Sequence, residues 1–303
     1  MRAGVIYGIA ANVLWGLFPV YFHALDEIAP VEVLAHRIGW SLLAVAALLA
    51  LARRLGALRH IAADRRTFGL LATAAAVIAL NWGVYIYAVA VDHVVEAALG
   101  YFITPLINVA LGMIVFGERL NRVQLAALAL GAVAVVELTL YYGGVPWMAL
   151  VLAVSFGTYG LLKKLADVPA VEGLTVETLV LAPLAAIYLV ALAWAGEGAF
   201  ATGDVGITVL LMAAGPVTAA PLLLFAACVV RVPLSTVGLI GYLTPVLQFL
   251  VGWIVFDEPM SAARWAGFTL VWIALAVLTW DGLRRARAGR LRRAEPEAEP
   301  AAA

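Results

Sequence analysis

"FITPLINVALGMIVFGE" at residues 102–118 and "YLTPVLQFLVGWIVFDE" at residues 242–258 are one pattern written twice. At a shift of 140 residues Thr104, Pro105, Gly112, Ile114, Val115, Phe116 and Glu118 recur as Thr244, Pro245, Gly252, Ile254, Val255, Phe256 and Glu258. Trp15-Gly16 meets Phe156-Gly157 at a shift of 141. In an apolar chain single matches come cheaply, but the ordered Thr-Pro, Gly and Phe-x-Glu set marks an internal repeat.

Composition says what the repeat is made of. The 303 residues are 65% hydrophobic and 13% charged, where a soluble domain carries about 25% charged residues. A helix crossing a bilayer needs about 20 mostly apolar residues. Such segments lie near 5–24, 31–52, 68–91, 94–116, 123–141, 145–164, 173–194, 206–230, 234–256 and 263–283. The expected fold class is therefore an all-α integral membrane protein with ten transmembrane helices. Short breaks between segments favour antiparallel neighbours in one bundle. The first segment lacks a small-residue cleavage site and has a counterpart at the sixth, so it is expected to be retained rather than cleaved. The single cysteine, Cys228, sits in an apolar run and reads as a small buried hydrophobe.

Lysine and arginine set the orientation. With the N-terminus inside, 17 of the 19 Lys and Arg residues fall on the inner side, Arg264 falls outside and Arg37 lies within a span. Both termini are thus expected in the cytoplasm. Five spans per repeat is an odd number, so the two copies cross the membrane in opposite senses. The expected domains are a first repeat at 1–142, a second at 143–283 and a disordered cytoplasmic tail at 284–303, Arg-rich and then rich in Glu, Pro and Ala. Inverted repeats of this kind are a transporter architecture, with the substrate held near the midplane between the halves.

"EVLAHRIGWS" (32–41), "NWGVYIYAV" (81–89), "EAALGYFITPLINVALGMIVFGER" (96–119) and "LSTVGLIGYLTPVLQFLVGWIVFDE" (234–258) resemble the RarD branch of the EamA, or drug/metabolite transporter, superfamily. The likeness runs to about residue 283 and is most specific between Glu96 and Arg119. It implies a ten-helix inner-membrane exporter or permease built from two five-helix repeats. Asp257-Glu258-Pro259 replaces the Gly-Glu-Arg of the first copy, a departure confined to a loop.

Polar residues inside spans are the candidate site. Arg37 lies roughly 7 Å toward the outside of its span's midpoint at 1.5 Å per residue, where a charge costs on the order of 2.5–3.5 kcal/mol. It either snorkels outward as a helix anchor or faces a central cavity as a fixed cation; the second reading is preferred. His36, turned about 100° away on the helix, is a packing histidine or a proton carrier. Asn81 and Tyr85 share a face of the third span. Tyr101, Pro105, Asn108 and Gly112 form a stripe repeated as Gly241, Pro245, Gln248 and Gly252, a packing seam or a cavity wall. Pro105, Gly112, Pro245 and Gly252 are assigned to helix breaks and close packing. Glu177, Tyr242 and Trp40 complete the expected substrate-binding set. Glu177 occupies the position of Arg37 at the 140-residue shift and is read as an inner-half acid, protonatable or structurally neutral.

The expected function is a secondary transporter of small organic solutes, in contact with the lipid bilayer and coupled to a proton or solute gradient. No GxxxxGK[ST] phosphate loop, HExxH or GxSxG motif occurs. No catalytic residue, cofactor, metal or nucleic-acid partner is expected. The rival readings are a non-transporting sensor or scaffold and an intramembrane enzyme.

Overall fold

A computed structural model describes residues 2–117, 119–142, 144–229, 231 and 240–294; Glu118 and the first residues of the expected ninth span lie outside them. Every regular element among the described residues is helical. The helices are α1 Arg2–Gly16, α2 Phe18–His23, α3 Pro30–Leu51, α4 Gly56–Ala63, α5 Arg65–Ala90, α6 Val94–Phe116, α7 Arg122–Tyr142, α8 Trp147–Ala166, α9 Ala170–Ala195, α10 Val205–Val229, α11 Leu243–Leu250 and α12 Ala262–Ala294. A π turn at Val251–Val255 prolongs α11. Nine spans among the described residues are long and apolar enough to cross a membrane, and Leu243–Val255 forms a shorter apolar helix.

Local chemistry sets the helix ends. Pro30 opens α3 after an extended Ala29, where its missing N–H costs nothing. Asp64 precedes α5 and accepts from the Arg66 N–H at 3.0 Å and the Thr67 hydroxyl at 2.6 Å. Gly117 closes α6 at φ 63°, a left-handed backbone that glycine adopts without strain. One break within a span and one helix end differ from expectation. The first span breaks at Leu17, with Pro19 in the first turn of α2. The last helix runs on to Ala294, so residues 284–294 are helical where a disordered tail is expected; Ala, Leu and Arg are strong helix formers.

The helices pack so that α1 and α3 both meet α10, α3 meets α9, α6 meets α8 and α11, α5 meets α8, and α7 meets α12. The largest core joins Phe102, Phe249 and Phe268 against Trp272. Two tight crossings recur at equivalent sequence positions. A methyl added at Gly16 would fall 2.6 Å from Leu247 Cβ, and one at Gly157 would fall 2.8 Å from Ile107 Cγ2. Such contacts are overpacked, so each crossing needs the missing side chain. Polar bonds pin the first crossing: the Thr244 hydroxyl donates to Asn12 Oδ1 at 2.8 Å, and Gln248 Nε2 donates to the Trp15 carbonyl at 3.1 Å.

The helix termini are bound as carefully as the core. Both carboxylate oxygens of Glu258 accept from the first turn of α6, with Val94 N–H at 2.6 Å from Oε1 and Val95 N–H at 3.0 Å from Oε2. Gly252 makes room for this approach, since a side chain there would strike Val95 and Glu258. A cavity opens inside the bundle, walled by residues of α1, α3, α5, α6, α8, α10, α11 and α12.

Candidate functional site

Arg37 is the starting point. It lies in the first half of α3 and is 3% exposed. Its Nε donates to Thr218 Oγ1 on α10 at 3.1 Å. The guanidinium carbon lies 4.2 Å from the centre of the Trp82 ring, 5.2 Å from Phe22 and 5.6 Å from Phe18. Aromatic faces attract a cation without neutralising it. None of the ion pairs among the described residues includes Arg37.

The guanidinium borders a cavity of about 680 Å³. Its wall draws on both halves of the chain: Asn12, Arg37, Asn81, Tyr85, Tyr101 and Asn108 from the first, and Tyr159, Thr218, Tyr242, Pro245 and Gln248 from the second. Of the expected site residues, Arg37, Asn81, Tyr85, Tyr101, Pro105, Asn108, Tyr242, Pro245 and Gln248 come together here. Pro105 lies inside α6, so the Tyr101 carbonyl lacks its helical partner at the wall. Asn81 is held by its amide, which donates to the Leu152 carbonyl at 3.1 Å and to Ser155 Oγ at 2.9 Å. Its Oδ1 in turn accepts from the Tyr101 hydroxyl at 3.2 Å. Tyr85 is 2% exposed and its hydroxyl has no partner among the described residues. Aromatic rings cover much of the remaining wall, Trp15 against Phe225 and Tyr101 edge-on to Phe156.

Five expected residues lie elsewhere. His36 and Trp40 stack on Phe200, at 4.9 and 6.1 Å between ring centres. One step along α3 turns His36 off the face that carries Arg37, and the loop after α9 covers it. Glu177 lies behind the wall, where Lys163 Nζ donates to Oε1 at 2.6 Å and the Tyr159 hydroxyl donates to Oε2 at 3.0 Å. Tyr159 does line the cavity, so Glu177 touches it through one side chain. Gly112 and Gly252 lie outside it, Gly112 accepting the closing N–H of α6 and Gly252 under the Glu258 cap.

Thr218 is the main residue that sequence reasoning passed over. A signal was present: it is the lone hydroxyl in "LLMAAGPVTAAPLLLFAAC" (210–228), between Pro216 and Pro221. Asn12, Thr244 and Phe156 also belong to the wall. Among the described residues, no cluster of His, Cys, Asp and Glu suits a metal ion.

The chain matches the model of the EamA-like transporter family twice, over residues 2–140 and 144–280. It belongs to that family. A protein called RarD from Streptomyces exfoliatus is 49% identical over 96% of this chain and 92% of its own. An uncharacterized transporter of Vibrio cholerae is 39% identical over 95% and 96%. A chloramphenicol-sensitive protein RarD of Pseudomonas aeruginosa is 30% identical over 94% and 96%. This EamA-family chain is thus a RarD-type, multi-pass membrane protein, and its relatives point to a transporter rather than an enzyme. A crystal structure with 22% identity superposes with a TM-score of 0.58 over 94% of this chain and 99% of that one, a likeness of fold.

Proposed function

We propose that the chain is a secondary transporter of the bacterial inner membrane that carries small organic solutes by alternating access around the Arg37 cavity. The observation that carries this reading is a solute-sized cavity walled by both family-matched halves and holding a buried cation in no ion pair among the described residues. Pockets of this size accept small molecules. The Lys and Arg distribution supports cytoplasmic termini and two inverted repeats of five spans, divided near residue 142. A proton gradient is the energy source we favour, with Glu177 as the coupling group because Tyr159 joins it to the wall. His36, packed under Phe200, is not needed for that role.

Site-directed alkylation tests the reading without a known substrate. Cys228 is the chain's single cysteine; it is replaced by alanine, and Asn108→Cys is introduced on the exposed cavity wall. A transporter exposes this thiol to impermeant maleimide from the cytoplasm and, in other molecules of the population, from the periplasm. Labelling from one side alone would mean a static pocket, as in a sensor or scaffold.

A further inference from the structure

The cavity's charge and walls say more than its size. Among the described residues, Arg37 is the one charged residue on its lining. The site therefore holds an uncompensated positive charge in an apolar surrounding, where electrostatic interactions are strong. The bond to Thr218 occupies Nε and leaves the paired Nη groups, the fork that matches a carboxylate. The rings of Trp82, Phe18 and Phe22 surround the guanidinium, Trp82 and Phe18 also bordering the cavity. The Tyr85 hydroxyl, buried and without a partner among the described residues, is a further donor on the same wall.

We propose that the cavity selects monoanions borne on a flat apolar body, aromatic carboxylates foremost, with the carboxylate on Arg37 and the rings between Trp15, Tyr101 and Phe156. This rests on reading the same cavity as a transporter's substrate site. A carboxylate neutralises the buried cation on arrival, which no neutral or cationic solute does. An amine meets repulsion from Arg37 and finds no lining carboxylate among the described residues to offset it; Gln248 Oε1, which has no partner among them, accepts a hydrogen bond but carries no charge. Zwitterions are disfavoured for the same reason at their ammonium end.

The test uses four probes that share one indole ring: indole-3-acetate, indole-3-acetamide, tryptamine and tryptophan, titrated by calorimetry into the purified full-length protein. The expected order puts indole-3-acetate first, about tenfold or more tighter than the acetamide, the gain of a charge-assisted over a neutral hydrogen bond. Tryptamine is expected to bind weakest. Arg37→Gln levels the acetate with the acetamide. The order itself is read on the wild type, so it does not depend on that variant folding. Equal or tighter binding of the acetamide, tryptamine or tryptophan overturns the proposal, and so does binding of none of the four. Two-sided labelling of Asn108→Cys alongside such a failure leaves the transporter reading standing. One-sided labelling sinks that reading whichever probe binds.

Discussion

Glu32 and Glu172, 140 residues apart in sequence, close opposite ends of one antiparallel helix pair. Glu32, in the first turn of α3, accepts from the Ala199 N–H just beyond α9 at 2.7 Å. Glu172, in the first turn of α9, lies 2.6 Å from Arg54 Nη2 just beyond α3. Each carboxylate is almost fully buried, at 3% and 1% exposure. Equivalent positions thus make crossed contacts, each reaching from one helix start to the partner helix's exit loop.

That arrangement predicts a coupled pair of variants. Arg54→Ala strands the buried Glu172 carboxylate and is expected to cost about 1–3 kcal/mol. Arg54 is half exposed, so solvent screening keeps the cost toward the lower end of that range. Arg54→Ala with Glu172→Gln recovers most of the loss, because the stranded charge is gone. Thermal melts of the wild type, both singles and the double close the cycle; additive losses would show that the pair is uncoupled.

Arg37 predicts a gain in stability together with a loss of function. Removing a lone charge from a membrane span relieves a cost of about 2.5–3.5 kcal/mol on insertion scales. Thr218 keeps a partner afterwards, since its hydroxyl also donates to the Ala214 carbonyl at 2.8 Å. Arg37→Met is therefore expected to melt no lower than the wild type in the absence of solute, and higher if relaxation is complete. A clear drop in melting temperature would make Arg37 a structural anchor and remove it from the site.

Glu258 predicts a pH dependence. Burial pushes its carboxyl above the ordinary carboxylate range, opposed by the Val95 and Val94 N–H groups and by Arg264 and His93 nearby. The folded state therefore binds a proton more readily than the unfolded one. By linkage, stability from this group is greatest below the ordinary carboxylate pKa and falls as pH rises through the raised value. Glu258→Gln lacks that slope, so wild type and variant converge or cross as pH rises through this window. Parallel melting curves across it would refute the assignment. Glu258→Ala leaves the Val94 and Val95 N–H groups without acceptors and is expected to cost about 1–3 kcal/mol.

The amino-acid sequence alone determined the class of this protein. Long apolar runs admit few other solutions in lipid, because a helix satisfies its own backbone groups there. Pro30, Asp64 and Gly117 mark helix ends by local rules, and the spans placed from composition agree with α3, α5, α6 and α9 to within a few residues. Helical spacing also grouped Tyr101, Pro105 and Asn108 on one face, and that face borders the cavity.

Tertiary packing decided the rest. His36 and Arg37 are neighbours in the chain, yet one packs under Phe200 and the other borders the cavity. Which face of α3 meets α10 and which meets the loop after α9 depends on partners more than 160 residues away. Glu177 acquired Lys163, and Arg37 acquired Thr218 instead of a carboxylate, by the same long-range placement. Periodicity assigns a residue to a face of its own helix; only the packed bundle determines what that face meets.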